Sequence, residues 1–124
     1  MQIEQKDRVL LGRIGFMACR QCRFDEARTV FEGLQQSDPS KAGPYLGLAV
    51  VMMSEGKAAE AAAYLKGTAL AVLPDDPDLK AYLGLAYFMN KQTAEAREVL
   101  TPLAGAGAAG SAASLAKSVL DQIP

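Results

Sequence analysis

The sequence contains no histidine and no tryptophan, and only two of its 124 residues are cysteine. Without histidine, the chain lacks the commonest general acid–base group and the commonest metal ligand. The 13 basic and 14 acidic residues nearly balance, so the excess of positive charge typical of nucleic-acid binding is also missing. We therefore expect that the protein is not an enzyme and that it binds no cofactor, no metal ion and no nucleic acid.

We expect neither a targeting segment nor a membrane-spanning segment. Residues 1–8 are charged where a secretory signal would be apolar. The longest uncharged run near mid-chain, between Ala42 and Glu55, is too short to cross a bilayer. Two cysteines without an export signal suit a reducing cytoplasm. We therefore expect a cytoplasmic protein with no membrane span.

The main feature of the sequence is a pair of helical patterns that occurs three times along the chain. Apolar or small residues at helical spacing occur over residues 11–18, and a second such pattern covers residues 24–34. Positions in this pair recur 34 and then a further 35 residues along the chain, and we call this spacing the repeat frame. The recurring positions are a small residue, a large apolar residue and a turn residue: Ala27, Ala61 and Ala96; Phe31, Leu65 and Leu100; Cys22, Gly56 and Lys91. The chain is therefore predicted to be all-α.

A helix–turn–helix unit with a period near 34 residues resembles the tetratricopeptide repeat. The first unit carries the resemblance at these positions: Ile14, Gly15, Phe24, Ala27, Phe31 and Pro39. The resemblance implies one domain over residues 1–124, with three repeats at about 8–41, 42–76 and 77–108 that form a short right-handed superhelix. After a glycine-rich stretch, expected to be a flexible break, residues 111–123 form an amphipathic pattern. We expect that segment to be a C-terminal capping helix, because the last repeat otherwise exposes its stacking surface, with a mobile partner-binding tail as the alternative.

Two local features refine this prediction. The 35-residue second step implies a lengthened turn around residues 73–77, and Thr68 stands where the frame has leucine in the other two units. The pairs Asp38-Pro39 and Asp76-Pro77 are typical of helix starts, with aspartate as the cap and proline at the first position.

Cys19 and Cys22 have the Cys-x-x-Cys spacing that a redox or zinc site could use. The pair ends a predicted helix, no strand precedes it, and a zinc site would need two ligands from a second subunit. We favour Cys19 as a small buried residue and Cys22 as a turn residue, with a redox or metal role as the alternative.

The first helix of each predicted repeat has a second apolar face beyond the one that packs on its partner helix. The resemblance implies that first helices line the concave surface, so these residues are expected to line a partner-binding groove: Phe16, Leu46, Val50, Met53, Leu85, Phe88 and Met89. The alternative is that the same face is buried without a partner protein, by stacking between neighbouring repeats, by the second subunit of a homodimer or by the C-terminal helix. Some tetratricopeptide domains clamp a chaperone's C-terminal carboxylate on this surface with Lys, Arg and Asn. The corresponding places here do not support that role: Gly12, Phe16, Leu46, Val50 and Ala81.

The predicted function is a non-catalytic module that holds an apolar or amphipathic helical segment of another protein. In size and composition the chain resembles the tetratricopeptide chaperones of bacterial type III secretion systems. That resemblance implies a cytoplasmic chaperone for an aggregation-prone export substrate. The alternative is a structural adaptor in a multiprotein complex, which would bind a folded partner through its convex, charged faces.

Overall fold

The computed structural model describes residues 3–105 and 109–124, and these residues form helices joined by short turns. The helices are α1 (Gln5–Arg20), α2 (Phe24–Ser37), α3 (Ala42–Ser54), α4 (Ala58–Tyr64), a π-helical segment (Leu65–Ala69), α5 (Leu70–Val72), α6 (Pro77–Met89), α7 (Thr93–Leu100), a 3-10 segment (Thr101–Ala104) and α8 (Ser111–Leu120). The described residues contain no strand, so the all-α prediction is confirmed. Residues 106–108, within the predicted flexible break, lie outside the described residues.

The turn inside each helix pair confirms the repeat frame. Cys22, Gly56 and Lys91 have φ angles of 61°, 80° and 63°, all in the left-handed region. In each turn the amide of the next residue donates to a carbonyl five residues earlier, at 2.8, 2.9 and 2.8 Å. These are Schellman-type ends of the first helices. The frame therefore aligns three turns of the same geometry, although only one of them contains glycine.

Close contacts between a glycine and a large side chain hold the pairs together. A Cβ atom added at Gly15 would lie 2.7 Å from Phe31 Cζ, and one added at Gly84 would lie 2.3 Å from Leu100 Cδ2. Both contacts join the first and second helices of one pair. Gly47 also lies against Phe31, but from the next pair along the chain. Phe31 therefore links the first and second pairs.

The extra residue of the second repeat lies within its second helix. The turns that follow the first and second units each contain four residues, 38–41 and 73–76, so the predicted lengthened turn at 73–77 is wrong. A π-helical turn takes one more residue than an α-helical turn, and the segment Leu65–Ala69 absorbs the insertion. As a result, Ala69 is buried and Thr68 is exposed. The buried position therefore moves by one residue, which explains why the frame finds threonine where the other two repeats have leucine.

The two Asp-Pro pairs differ in what the aspartate does. The Asp76 carboxylate accepts from the Leu79 amide at 3.0 Å and caps α6, with proline at the first turn as predicted. The prediction is wrong for Asp38, because α3 begins only at Ala42. The Asp38 carboxylate instead accepts from the amide and hydroxyl of Ser40, at 3.0 and 2.6 Å. These donors, two residues away, close a local turn before the helix starts.

Helix α8 packs against the third pair in the way that each first helix packs on the pair before it. Its buried side is built from small residues and one valine: Ala112, Ala113, Ala116 and Val119. Its exposed side is polar, with Ser114, Lys117 and Ser118. An apolar inner side and a polar outer side are what a capping helix requires. No helix among the described residues is long and apolar enough to cross a membrane.

Candidate functional site

The seven residues predicted to line the groove differ widely in exposure. Met53 is only 7% exposed and belongs to the buried core that joins the second and third pairs. Met89, at the other extreme, is 47% exposed. The remaining five are half-buried: Phe16, Leu46, Val50, Leu85 and Phe88. Met53 is therefore part of the core, whereas the other six keep surface that a partner could reach.

Stacking between neighbouring pairs accounts for the half-burial. Leu46 and Val50 on α3 pack against the core that joins the second and third pairs. Leu85 and Phe88 on α6 pack against the cluster that α7 and α8 form beyond the third pair. The C-terminal helix therefore covers part of the face at that end, although Met89 remains 47% exposed there.

Phe16 lies on α1, at the other end of the face. Its ring meets Phe31 edge to face, with centroids 4.8 Å apart and planes at 62°. Together with Leu34, the two rings line a cavity of about 270 Å³ between α1, α2 and the start of α3. Gly12 and Gly43 also line it, and a Cβ atom added at either would meet nothing within 4 Å. The cavity is therefore open in part because these two lining residues are glycine.

The rim of the cavity carries positive charge. Arg8 and Lys41 lie on it, and no carboxylate is among the described residues that line it. The Arg8 guanidinium donates to the Ser37 hydroxyl and to the Leu34 carbonyl, which holds it at the edge of the opening. The cavity thus combines an apolar floor with a cationic rim.

Sequence reasoning missed this cavity, although a signal was present. Gly12 occupies the frame position that Leu46 and Ala81 hold in the second and third repeats. A large side chain is therefore present at this position in the second repeat and absent in the first. The contributions of α2 and of the chain before α3 could not be read from the first-helix pattern, because they depend on how the pairs stack.

A family model for the tetratricopeptide repeat matches residues 52–119, more than half of the chain. The chain belongs to the tetratricopeptide repeat family. The first helix pair lies outside the matched range, but its turn at Cys22 is left-handed like those at Gly56 and Lys91, and Gly15 packs on its second helix as Gly84 does. No curated protein matches the chain.

The two cysteines of this tetratricopeptide repeat protein lie in different surroundings. Cys19 is buried, and its thiol donates to the Ser54 hydroxyl at 3.3 Å, which connects the first helices α1 and α3. Cys22 is exposed in the left-handed turn. Within the described part of the chain, no group of three or more His, Cys, Asp or Glu side chains could hold a metal ion.

Two groups with shifted pKa values lie on the second helices of the tetratricopeptide repeats. Burial raises the pKa of the Tyr64 phenol to about 12, and the neighbouring Tyr45 adds to the shift. A hydrogen bond to the Glu55 carboxylate raises the pKa of the Arg28 guanidinium. Neither Tyr64 nor Arg28 lines the cavity.

Proposed function

We propose that this protein holds an apolar or amphipathic helical segment of a partner protein in the groove along its first helices. The observation that carries the proposal is the cavity beside Phe16, with its apolar floor and open mouth. Its volume of about 270 Å³ lies below the roughly 300–1,000 Å³ of ordinary small-molecule sites. A cavity of this size suits one large side chain of a partner helix.

The surface beyond the cavity supports an extended contact. Half-buried Leu46, Val50 and Leu85 continue the apolar surface from α1 across α3 and α6. Helix α3, in the middle of this surface, contains no charged residue. A helix laid across it would bind through residues spaced along one of its own faces, as in other helix-in-groove complexes. The proposed role is therefore binding without catalysis.

The finer proposal is that the partner is an aggregation-prone export substrate of a type III secretion system, which the protein holds in the cytoplasm as a chaperone. The support is the resemblance in size and composition to the tetratricopeptide chaperones of those systems. An apolar groove would cover the segment of the substrate that otherwise aggregates. A structural adaptor, in contrast, would bind through its convex faces and would not need the cavity.

Filling the cavity tests the groove without placing a charge in the core. Gly12→Leu adds a side chain in the cavity, where nothing lies within 4 Å of the new Cβ atom. Gly33→Leu is the matched control, because Gly33 is also within a helix and in open space but does not line the cavity. Both changes remove a helical glycine, so both should raise the free energy of unfolding, by up to about 1 kcal/mol.

The readout is quantitative mass spectrometry of proteins that co-purify from the native host. We expect a partner that wild type and Gly33→Leu retain and that Gly12→Leu loses. We also expect that partner to be insoluble when expressed alone and soluble when co-expressed with wild type. Equal retention by all three proteins would contradict the groove and favour the adaptor. Met53→Glu is unsuitable, because a charge at that buried position would unfold the protein.

A further inference from the structure

A second apolar surface lies on α1, separate from the cavity. Leu10, Ile14 and Met17 are 56%, 43% and 49% exposed, and none of them lines the cavity. Their spacing of four and then three residues places them on one side of the helix. We call these three residues the α1 stripe.

The corresponding stripe is buried in the later first helices and in α8. Its equivalents are Pro44, Leu48 and Val51 in α3; Leu79, Leu83 and Ala86 in α6; and Ala112, Ala116 and Val119 in α8. In α3, Leu48 and Val51 share a core cluster with Phe31 and Leu34 of the preceding pair. The stripe is therefore the surface on which a preceding helix stacks, and in α1 no described element covers it.

The α1 stripe lies next to a concentration of positive charge. Helix α1 carries four cationic residues and only one acidic residue, a net charge of +3 in a chain whose net charge is −1. Arg13 and Arg20 lie on the same flank of the stripe and are seven residues apart, which is about two turns of helix. Neither forms an ion pair with any other described residue. The flank therefore offers two cations that a partner could neutralise.

This charge argues against a second copy of the chain as the occupant. Two α1 helices packed stripe to stripe would bring Arg13 and Arg20 of both copies to one interface, and like charges across an interface are unfavourable. Stacking on another copy's α8 is also disfavoured, because the outer side of that helix is polar. The chemistry that fits both the apolar stripe and its flank is an apolar helix with acidic residues beside the contact.

We propose that the α1 stripe docks an amphipathic helix of a partner protein whose apolar face is bordered by Asp or Glu residues. This helix would occupy the place that a preceding second helix occupies in the internal stacks. Carboxylates two turns apart on it would pair with Arg13 and Arg20. The surface is distinct from the groove, so the protein would contact partners at two places.

Two synthetic helical peptides of equal length and with the same leucine stripe test the proposal. One has glutamate beside the stripe and the other has lysine, and fluorescence anisotropy measures the binding of each to the full chain. We expect the glutamate peptide to bind at least tenfold more tightly at low salt, with a smaller ratio at high salt because salt screens the charges. Arg13→Glu combined with Arg20→Glu should reverse the preference.

Variants of the apolar residues locate the peptide on the protein. Leu10→Ser combined with Met17→Ser should abolish binding with an unchanged helical spectrum, because both side chains are exposed. Val72→Ser, at a residue that is 50% exposed outside the stripe, is the matched control and should bind normally. Gly12→Leu should also bind normally, so this test is independent of the groove.

Four outcomes would overturn the proposal. The first is equal affinity for the two peptides, and the second is no binding of either. The third is loss of binding in Gly12→Leu, which would place the peptide in the groove. The fourth is a dimer in sedimentation that Ile14→Ser converts to monomer, because the occupant would then be a second copy of the chain.

Discussion

Adding one methyl group at Gly47 should destabilise the protein, although alanine favours the helix that contains it. A Cβ atom at this position would lie 2.3 to 2.5 Å from three ring atoms of Phe31. Carbon atoms pack at about 3.5–4.0 Å, so the ring would have to move by about 1 Å. Phe31 is only 1% exposed, so the movement must take place inside the core.

Close contacts with Gly15, Gly47 and Phe16 restrict the Phe31 ring on three sides, although the ring also lines the cavity beside Phe16. Gly15 packs so closely on it that an added Cβ atom there would lie 2.7 Å from Cζ, and the Phe16 ring meets it edge to face. Overpacking of a core costs about 1–3 kcal/mol. Replacing a helical glycine by alanine returns about 1 kcal/mol. Because the cavity gives the ring some room to move, we expect a steric cost of about 2 kcal/mol, in the middle of this range, and a net loss of about 1 kcal/mol in the free energy of unfolding.

Urea unfolding of Gly47→Ala beside Gly33→Ala measures this difference. Gly33 also lies within a helix, but an added Cβ atom there meets nothing within 4 Å, so the control should gain up to about 1 kcal/mol. Adding Phe31→Leu should recover part of the loss in Gly47→Ala, with a coupling free energy above about 0.5 kcal/mol. If Gly47→Ala were as stable as Gly33→Ala, the contact on Phe31 could not be as close as described.

Three further predictions concern the turns, a helix cap and a half-buried phenol. In thermal melting, Lys91→Gly should raise the free energy of unfolding by about 0.5–1 kcal/mol, because the φ angle of 63° at this position suits glycine. Gly56→Ala should lower it by a similar amount, and changes of the same sign in the two variants would contradict this prediction. In urea unfolding, Asp76→Ala should cost about 1 kcal/mol through loss of the α6 cap, and Asp38→Ala, which removes no helix cap, should cost less. The free energy of unfolding should fall as pH rises from 10 to about 12, because the unfolded Tyr64 phenol loses its proton at lower pH than the folded one. Tyr64→Phe should remove that part of the pH dependence, and an unchanged slope would contradict the raised pKa.

The helix pairs and their turns could be predicted from the sequence because both are local. The apolar spacing of a helix involves residues three or four apart, and the turn that ends it is formed within six residues. Cys22 and Lys91 aligned with Gly56 through the repeat frame alone, and all three turns have the same backbone geometry. The cap at Asp76 is likewise a contact between residues three apart.

Identical local sequences, in contrast, have different roles where distant contacts decide. The segment Tyr-Leu-Gly-Leu-Ala occurs around Gly47 and again around Gly84. Gly47 packs on Phe31 of the preceding pair, whereas Gly84 packs on Leu100 of its own pair. Each glycine needs a large side chain 16 residues away, in opposite directions along the chain. The two copies lie 37 residues apart, two residues out of register with the repeat frame, so the frame already gives the two glycines different positions. Which side chain each glycine meets then follows from the stacking of the helix pairs.

The same dependence explains why the predicted groove differs from the cavity that the fold contains. The helical pattern placed Phe16 and Met53 on one apolar face, but the second and third pairs close over Met53 and leave Phe16 beside a cavity. The extra residue also lay beyond local reading, because a π-helical turn at Leu65–Ala69 absorbed it and brought Ala69 into the core. Spacing along the chain therefore determined which side of each helix is apolar. How much of that side remains exposed was decided by close packing between pairs, where one methyl group or one inserted residue changes which surfaces meet.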